Sequence, residues 1–456
     1  MREIRGGGPP SSADLADIPE SLSALTARTR PIQIVYFDID DLIDEFRFDE
    51  HYGEAWIIAC KNEVPLGMAT IELSADASQN RERLSELRDS LRKVASETTV
   101  RLSIPDDDLP PISVVVPTNV FRIQALEQCV SSLEQLDYPN FEVLLVDNRR
   151  DVPSPDALAT IVRGRTWLRV VREPSPGVAA ARNKGVASAK SEVIAMVDDD
   201  VQVNRQWLRA IGARMTLEPK LDAVTGLVMP AELETPAQIW FEHYYGGFGS
   251  SRKFAPATLE ADDHVPRFLR GSQILARDWS GAIVGTFPVY GIGAYAAGAN
   301  MAFRKAAIDR AGGFDTALGT GTVTHGGEDL ATLIQILWTG GQLGYEPAAF
   351  VHHQHRRRYL ELVSQVEGNG LGLTALLTSL VRNDPRHILG LSSQLRGALK
   401  RKAEQRAERL RGIKVGGKID SAAPPLYPPD LVKREFRHYP LGPFAYFRSR
   451  REHRKK

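Results

Sequence analysis

The sequence predicts an α/β fold with a largely parallel sheet covered by helices on both faces, and three observations carry that prediction. From Ile112 onward, short apolar, β-branched runs alternate with helical segments, the pattern of strands joined by right-handed crossovers. Successive runs end in polar chemistry: Pro117-Thr118-Asn119, Asp147-Asn148, Arg172-Glu173 and Asp198-Asp199-Asp200. The last of these sets three like charges at the end of a buried strand, where they repel unless a cation neutralises them. Hard carboxylate oxygens suit Mg²⁺ or Mn²⁺. Ligands of open α/β sheets bind beyond the carboxyl ends of the strands, so four polar ends in succession mark a site.

Element by element, Ile112–Val116, Phe141–Val146, Leu168–Val171 and Val193–Val197 read as strands, with helices over Arg122–Leu136 and Val178–Ala189. A later helix over Glu328–Trp338 follows Gly326-Gly327, and a strand over Ala348–Val351 leads into Val351-His352-His353-Gln354-His355. Ahead of these lies a segment with strands at Ile32–Asp38, Ala55–Lys61 and Pro65–Leu73 and an amphipathic helix from about Asn80 to Val94. The turn-rich Pro105–Pro111 closes it as a linker. The division is a small α+β domain over 1–108, an α/β domain over 109–390 and a basic extension over 391–456. Asp38-Ile39-Asp40-Asp41 has the composition of a metal cluster, but no neighbouring signal supports more than an acidic turn.

Composition excludes several classes. Hydrophobic content of 43% and charged content of 25% over 456 residues are those of a globular protein with a large core. Two cysteines, Cys60 and Cys129, make no disulfide framework. No apolar run reaches the roughly 18 residues of a membrane span, and the first twenty residues lack a signal-peptide core, so a cytoplasmic protein is expected. The net charge of zero conceals an asymmetry: residues 395–456 hold 18 basic against 6 acidic side chains, and residues 1–108 hold 12 against 22. A basic tail interleaved with Tyr and Phe suits an anionic lipid surface, a solvated extension, or packing on the acidic N-terminal region. No nucleic-acid motif accompanies it, and no nucleic-acid partner is expected.

The motifs also carry a family resemblance. Val114-Val115-Val116-Pro117-Thr118, Val146-Asp147, Gly177–Gly185 and Val197–Asp200 resemble the nucleotide-sugar half of inverting family-2 glycosyltransferases with the GT-A fold. Gly298–Arg304, Gly312-Gly313-Phe314-Asp315 and Gly326-Gly327-Glu328-Asp329-Leu330 continue it into the acceptor half. The resemblance spans about Pro111–Tyr359 and departs from the family at Asn119-Val120-Phe121-Arg122. It implies a Rossmann-like mixed sheet binding a UDP- or dTDP-sugar, with an additional N-terminal domain.

On that resemblance Pro117, Thr118, Asp147, Arg182, Asp198 and Asp199 bind the donor, with Asp147 accepting a pyrimidine N–H. Asp200 ligates Mn²⁺ or Mg²⁺ with a histidine after the last strand. Alternation puts His353 and His355 on one face, and these are expected ahead of His352. Asp329 deprotonates the acceptor hydroxyl, with Glu328 as the next candidate. Asn300, Gly326 and Gly327 fall on the acceptor side or its loop.

No Gln-x-x-Arg-Trp motif and no membrane helices appear, which points to non-processive transfer onto a glycan, lipid-linked or cell-envelope acceptor, with peripheral membrane contact through the tail. A sugar nucleotidyltransferase is the rival enzyme, although the Gly-rich basic loop it needs after the first strand is missing. A catalytically inactive nucleotide-sugar or glycan-binding protein is the rival outside enzymes.

Overall fold

The computed structural model describes residues 9–40, 48–49, 51–73, 78–86, 89, 104–154, 156–248, 252–411 and 425–454. Fourteen strands in these residues form two sheets. The small one orders β1 (Ile32–Asp38), β2 (Glu54–Lys61) and β3 (Val64–Glu72), with β1 and β2 parallel and β3 antiparallel.

The large sheet contains β4 (Ile112–Thr118), β5 (Phe141–Asp147), β6 (Leu168–Arg172), β7 (Val193–Met196), β8 (Val201–Val203) and β9 (Leu221–Pro230). It continues through β10 (Ala257–Ala261), β11 (Gln273–Arg277), β12 (Ile283–Pro288), β13 (Met301–Arg304) and β14 (Gln342–His353). The order is β12-β11-β10-β14-β9-β13-β7-β4-β5-β6, with β8 paired on β14. β7, β4, β5 and β6 are mutually parallel, as the alternating pattern predicts, and β13 enters antiparallel between β7 and β9. Residues of β4 and β7 are fully buried, the signature of strands covered on both faces.

Register sets the site. Thr118 aligns with Asp147 and Asp147 with Arg172, so three of the polar strand ends fall in one row. Val201 aligns with His353 and Gln202 with His352, which brings the aspartate triplet beside the histidine strand.

The N-terminal sheet has a core of its own and one face packed on the large sheet. Ile32, Trp56 and Ile58 pack with Leu227, Met229 and Phe350 of the large sheet and with Leu233 after it, while Val35, Phe37 and Ile57 form the small sheet's own core. Asp38 caps the turn, accepting from the backbone of Asp40 and Asn62, so that part of the acidic run is a turn. Asp41, like the predicted helix beyond residue 89, lies outside the described residues.

The described part of the basic C-terminal extension packs on the rest of the chain. Helices Asp430–His438 and Gly442–Arg454 pack on the long helix Tyr359–Asn383, with Tyr427, Leu431 and Val432 buried against Tyr359, Leu362 and Trp240. Tyr446 is buried and donates to Asp315 at 2.9 Å. The aromatic residues among the basic ones divide into these core anchors and the exposed Phe444 and Phe447. No described helix is long and apolar enough to cross a membrane.

Candidate active site

The aspartate triplet splits into three environments. Asp198 accepts from Arg182 Nη2 at 2.8 Å; Asp199 accepts from Thr118 Oγ1 at 2.6 Å; Asp200 pairs with Arg122 through one oxygen. Burial pushes Asp199 up to about 6, and the adjoining Asp200 charge adds to the rise.

The other oxygen of Asp200, Oδ1, is buried without a hydrogen-bond partner and lies 3.4 Å from His353 Nε2. Behind His353 runs a chain of rings. His353 Nδ1 meets His355 Nδ1 at 3.2 Å, and His355 Nε2 meets Glu242 Oε1 at 2.6 Å. Arg252 donates to both oxygens of Glu242 at 2.8 Å. Burial opposes the Glu242 charge, but Arg252 and His355 outweigh it and hold its carboxyl at about 2. Glu242 therefore requires a proton on His355 Nε2. A donor at His355 Nε2 and an acceptor at its Nδ1 make His353 Nδ1 the donor, which leaves the lone pair of His353 Nε2 facing Asp200. Burial pushes His353 down to about 3, which keeps that ring neutral.

Two acceptors facing one another across a buried gap fit a divalent cation, held by Asp200 and His353 with a substrate supplying the remaining oxygens. Among the described residues no three His, Cys, Asp or Glu side chains converge as one site. The sequence expectation for His355 is corrected accordingly. Both its ring nitrogens are committed to His353 and Glu242, so neither is left to face Asp200. His352 points to the opposite face of β14, as alternation requires, against Tyr36 and Phe350.

Arg182 joins the two halves. Its buried guanidinium pairs with Asp198 from the first half and Glu328 from the second, and donates to the Gly298 carbonyl at 3.1 Å. Burial works against the Arg182 charge, but the Asp198 and Glu328 carboxylates outweigh it and raise its pKa. Glu328 opens the helix Glu328–Trp338, and burial pushes it up to about 7, with Asp329 adding to the rise. Asp329 is less buried, and its Oδ2 accepts from the Gly298 backbone N–H at 2.7 Å. A side chain at Gly298 would put its Cβ 2.8 Å from that oxygen, so glycine is required for the approach. Gly327 caps the helix at φ +97°, a conformation that favours glycine. Gly326 is open, with nothing within 4 Å of a built Cβ. The loop Gly319-Thr320-Gly321 touches the donor half where Thr320 accepts from Val178 N at 2.9 Å.

Three expectations meet a different geometry. Asp147 is buried and its carboxylate is occupied, with Arg149 donating through Nε at 2.8 Å and Nη2 at 2.9 Å and Arg172 at 2.8 Å. Burial opposes its charge, but the Arg149 hydrogen bonds outweigh it and lower its pKa. Asp147 reaches a base N–H only if Arg172, whose side chain is 35% exposed, releases it. Asn300 is corrected from an acceptor-side residue to an interior tie: it accepts from Trp207 Nε1 at 2.9 Å and donates to the carbonyls of Leu227 and Ala349. Pro117 lies within β4, and its neighbour Thr118 rather than Pro117 meets the aspartates.

Sequence reasoning missed Arg122, Arg149, Arg252 and Glu242. Arg122 lies within the stretch where the motif departs from the family, and Arg149 stands two residues after Asp147, so both carried a local signal. Glu242 and Arg252 meet the histidines only through tertiary folding.

Residues 113–277 match the family model described as Glycosyl transferase family 2. The chain is 27% identical over 263 residues to a pre-mycofactocin glycosyltransferase of Mycobacterium tuberculosis (strain CDC 1551 / Oshkosh), covering 56% of this chain and 45% of that protein. It is 31% identical over 117 residues to the glycosyltransferase GlyG of Streptococcus pneumoniae serotype 4, covering 25% and 38%. The chain thus spans less than half the length of either relative. Among solved structures, a mannosyltransferase from Pyrobaculum calidifontis in complex with GDP-Man and Mn²⁺ superposes with a TM-score of 0.43 at 16% identity, over 82% of this chain and 94% of that one. At that score the likeness carries no functional argument.

Proposed function

We infer that this chain, which carries a family-2 glycosyltransferase domain, is a metal-dependent inverting glycosyltransferase. It moves a sugar from a UDP- or dTDP-sugar to a hydroxyl of a glycan, lipid-linked or cell-envelope acceptor. The observation that carries the reading is the buried gap between Asp200 Oδ1 and His353 Nε2, two acceptors without a donor between them. A bound Mn²⁺ or Mg²⁺ there supplies Lewis-acid stabilisation of the charge that develops on the leaving nucleoside diphosphate.

The chain's own residues do the rest. Asp200 and His353 would hold the ion, and Glu242 through His355 would fix the ring that does so. Thr118, Asp198 and Asp199 line the donor side, with Arg182 holding Asp198 in place. Asp329 takes the proton of the acceptor hydroxyl as it attacks the anomeric carbon opposite the leaving group, which inverts that centre. Its half-buried carboxylate keeps Oδ1 for that proton while Gly298 fixes Oδ2. Glu328 is buried on Arg182 and acts as a positioning residue.

A surface reading accompanies this one. Phe444, Phe447 and Leu441 are exposed beside Arg448, Arg450 and Arg451, an apolar tip ringed by cations that suits an anionic membrane face and a lipid-linked acceptor.

The test is a thermal-shift titration with UDP, dTDP, GDP and their sugar conjugates, with and without Mn²⁺. A ligand bound only by the folded state raises the melting temperature with concentration. The expected result is a Mn²⁺-dependent shift with uridine or thymidine diphosphates, followed by sugar release from the matching donor. Equal shifts with and without metal reject the metal-dependent reading, and pyrophosphate release from a nucleoside triphosphate favours the nucleotidyltransferase.

A further inference from the structure

A cavity of about 710 Å³ lies between the small sheet and the outer face of helix Ile123–Leu133. That volume is within the ~300–1,000 Å³ of small-ligand sites. Its lining shares no residue with the cleft described above. Gln202 and His352, paired between β8 and β14, line the cavity, while His353 on the opposite face of β14 lies beside Asp200.

The lining has a definite chemistry. Five amides, Gln124, Gln128, Gln135, Gln202 and Asn204, share it with Ser131 and Ser132. Each amide offers two donors and an acceptor, the complement of hydroxyl groups that both donate and accept. Tyr36 and Phe350, stacked on one another, give an apolar surface on one side. Among the described lining residues Asp38, Glu63 and Glu127 outnumber the cation Arg205, a balance that disfavours phosphate and nucleotide. Three wall residues also carry buried polar atoms without a partner, namely Tyr36 Oη, Glu63 Oε2 and His352 Nε2. A buried polar atom left unpaired is costly, so three among the lining residues point to a partner supplied from outside the chain.

We propose that this cavity is a second binding site, formed jointly by the N-terminal sheet and the transferase domain, and that its ligand is a neutral oligosaccharide. Amides and carboxylates meet the hydroxyls, and the aromatic faces meet the C–H surface of a sugar ring. The proposal rests on the lining alone and stands whether or not the cleft transfers a sugar.

The test uses the full chain saturated with UDP and Mn²⁺, titrated by calorimetry with neutral linear tetrasaccharides of gluco, galacto and manno configuration. The expected result is saturable binding of at least one of them, one site per chain. Ser131 is exposed on its helix, so Ser131→Trp fills the cavity without entering the core, and it should weaken that binding at least about tenfold. Gln128→Ala removes one amide, which accepts from Gln202 at 3.3 Å, and should weaken it by about two- to tenfold with an unchanged melting temperature. The proposal is overturned if none of the three sugars binds, if both variants bind as the unsubstituted protein does, or if UDP and Mn²⁺ compete with the sugar.

Discussion

His353 Nε2 faces Asp200 Oδ1 across 3.4 Å, and the oxygen has no hydrogen-bond partner. The pair is supported from behind by His355 and Glu242 and flanked by Arg122 on the other Asp200 oxygen. Asp200→Ala should therefore abolish transfer and remove the Mn²⁺-dependent part of UDP affinity, measured by calorimetry with and without metal. Glu242→Gln should act in the same direction but less, by about 10- to 100-fold in metal affinity, the usual effect of losing the partner that orients a ligand. Unchanged metal dependence in Asp200→Ala would remove the pair from the site.

Asp329 and Glu328 are neighbours with different partners, Gly298 N–H and Arg182, and substitution separates them. Asp329→Asn keeps the Gly298 hydrogen bond but cannot accept a proton near neutral pH. It should lower kcat by about 10² to 10⁴ with donor affinity unchanged. Near-normal turnover at saturating acceptor would pass the base role to Glu328.

Glu346 gives a pH signature unrelated to the cleft. Burial pushes it up to about 7 from an ordinary 4.5, with Arg214 opposing the rise. A folded state whose carboxyl holds its proton more tightly than the unfolded state does loses stability as pH rises. The loss runs from about 4.5 to about 7 and persists above. Glu346→Gln should flatten that part of the melting-temperature profile and leave the protein relatively more stable at pH 8 than at pH 5. A profile identical to that of the unsubstituted protein would show that Glu346 ionises normally.

Membrane contact has to be tested at the surface. Deleting residues after Leu395 would strip Tyr427, Leu431 and Tyr446 from the core, so truncation confounds adhesion with unfolding. Phe444→Ser with Phe447→Ser alters exposed side chains alone. This pair should reduce sedimentation with anionic vesicles severalfold at unchanged melting temperature, and the remaining binding should fall with salt. Equal sedimentation of both proteins would reject the lipid face.

What the sequence determined by itself was local and periodic. β-branched runs such as Val193–Met196 specify strands because burial on both faces leaves no polar alternative, and Gly326-Gly327 ahead of Glu328 marks a helix start. The positions of Asp200, His353 and Asp329 were legible for the same reason: they sit at element ends, and alternation along β14 separates His353 from His352. Only the tertiary structure decided which atoms remain free. Asp147 meets Arg172 through strand register, Asn300 is spent on Trp207, and both ring nitrogens of His355 are occupied, by His353 and by Glu242, 113 residues away. Tertiary packing likewise divided the C-terminal aromatics into buried anchors and an exposed tip. Residue type states what a side chain can bond. Its partners depend on non-local packing, because a buried donor or acceptor takes whatever complementary group the fold brings within reach.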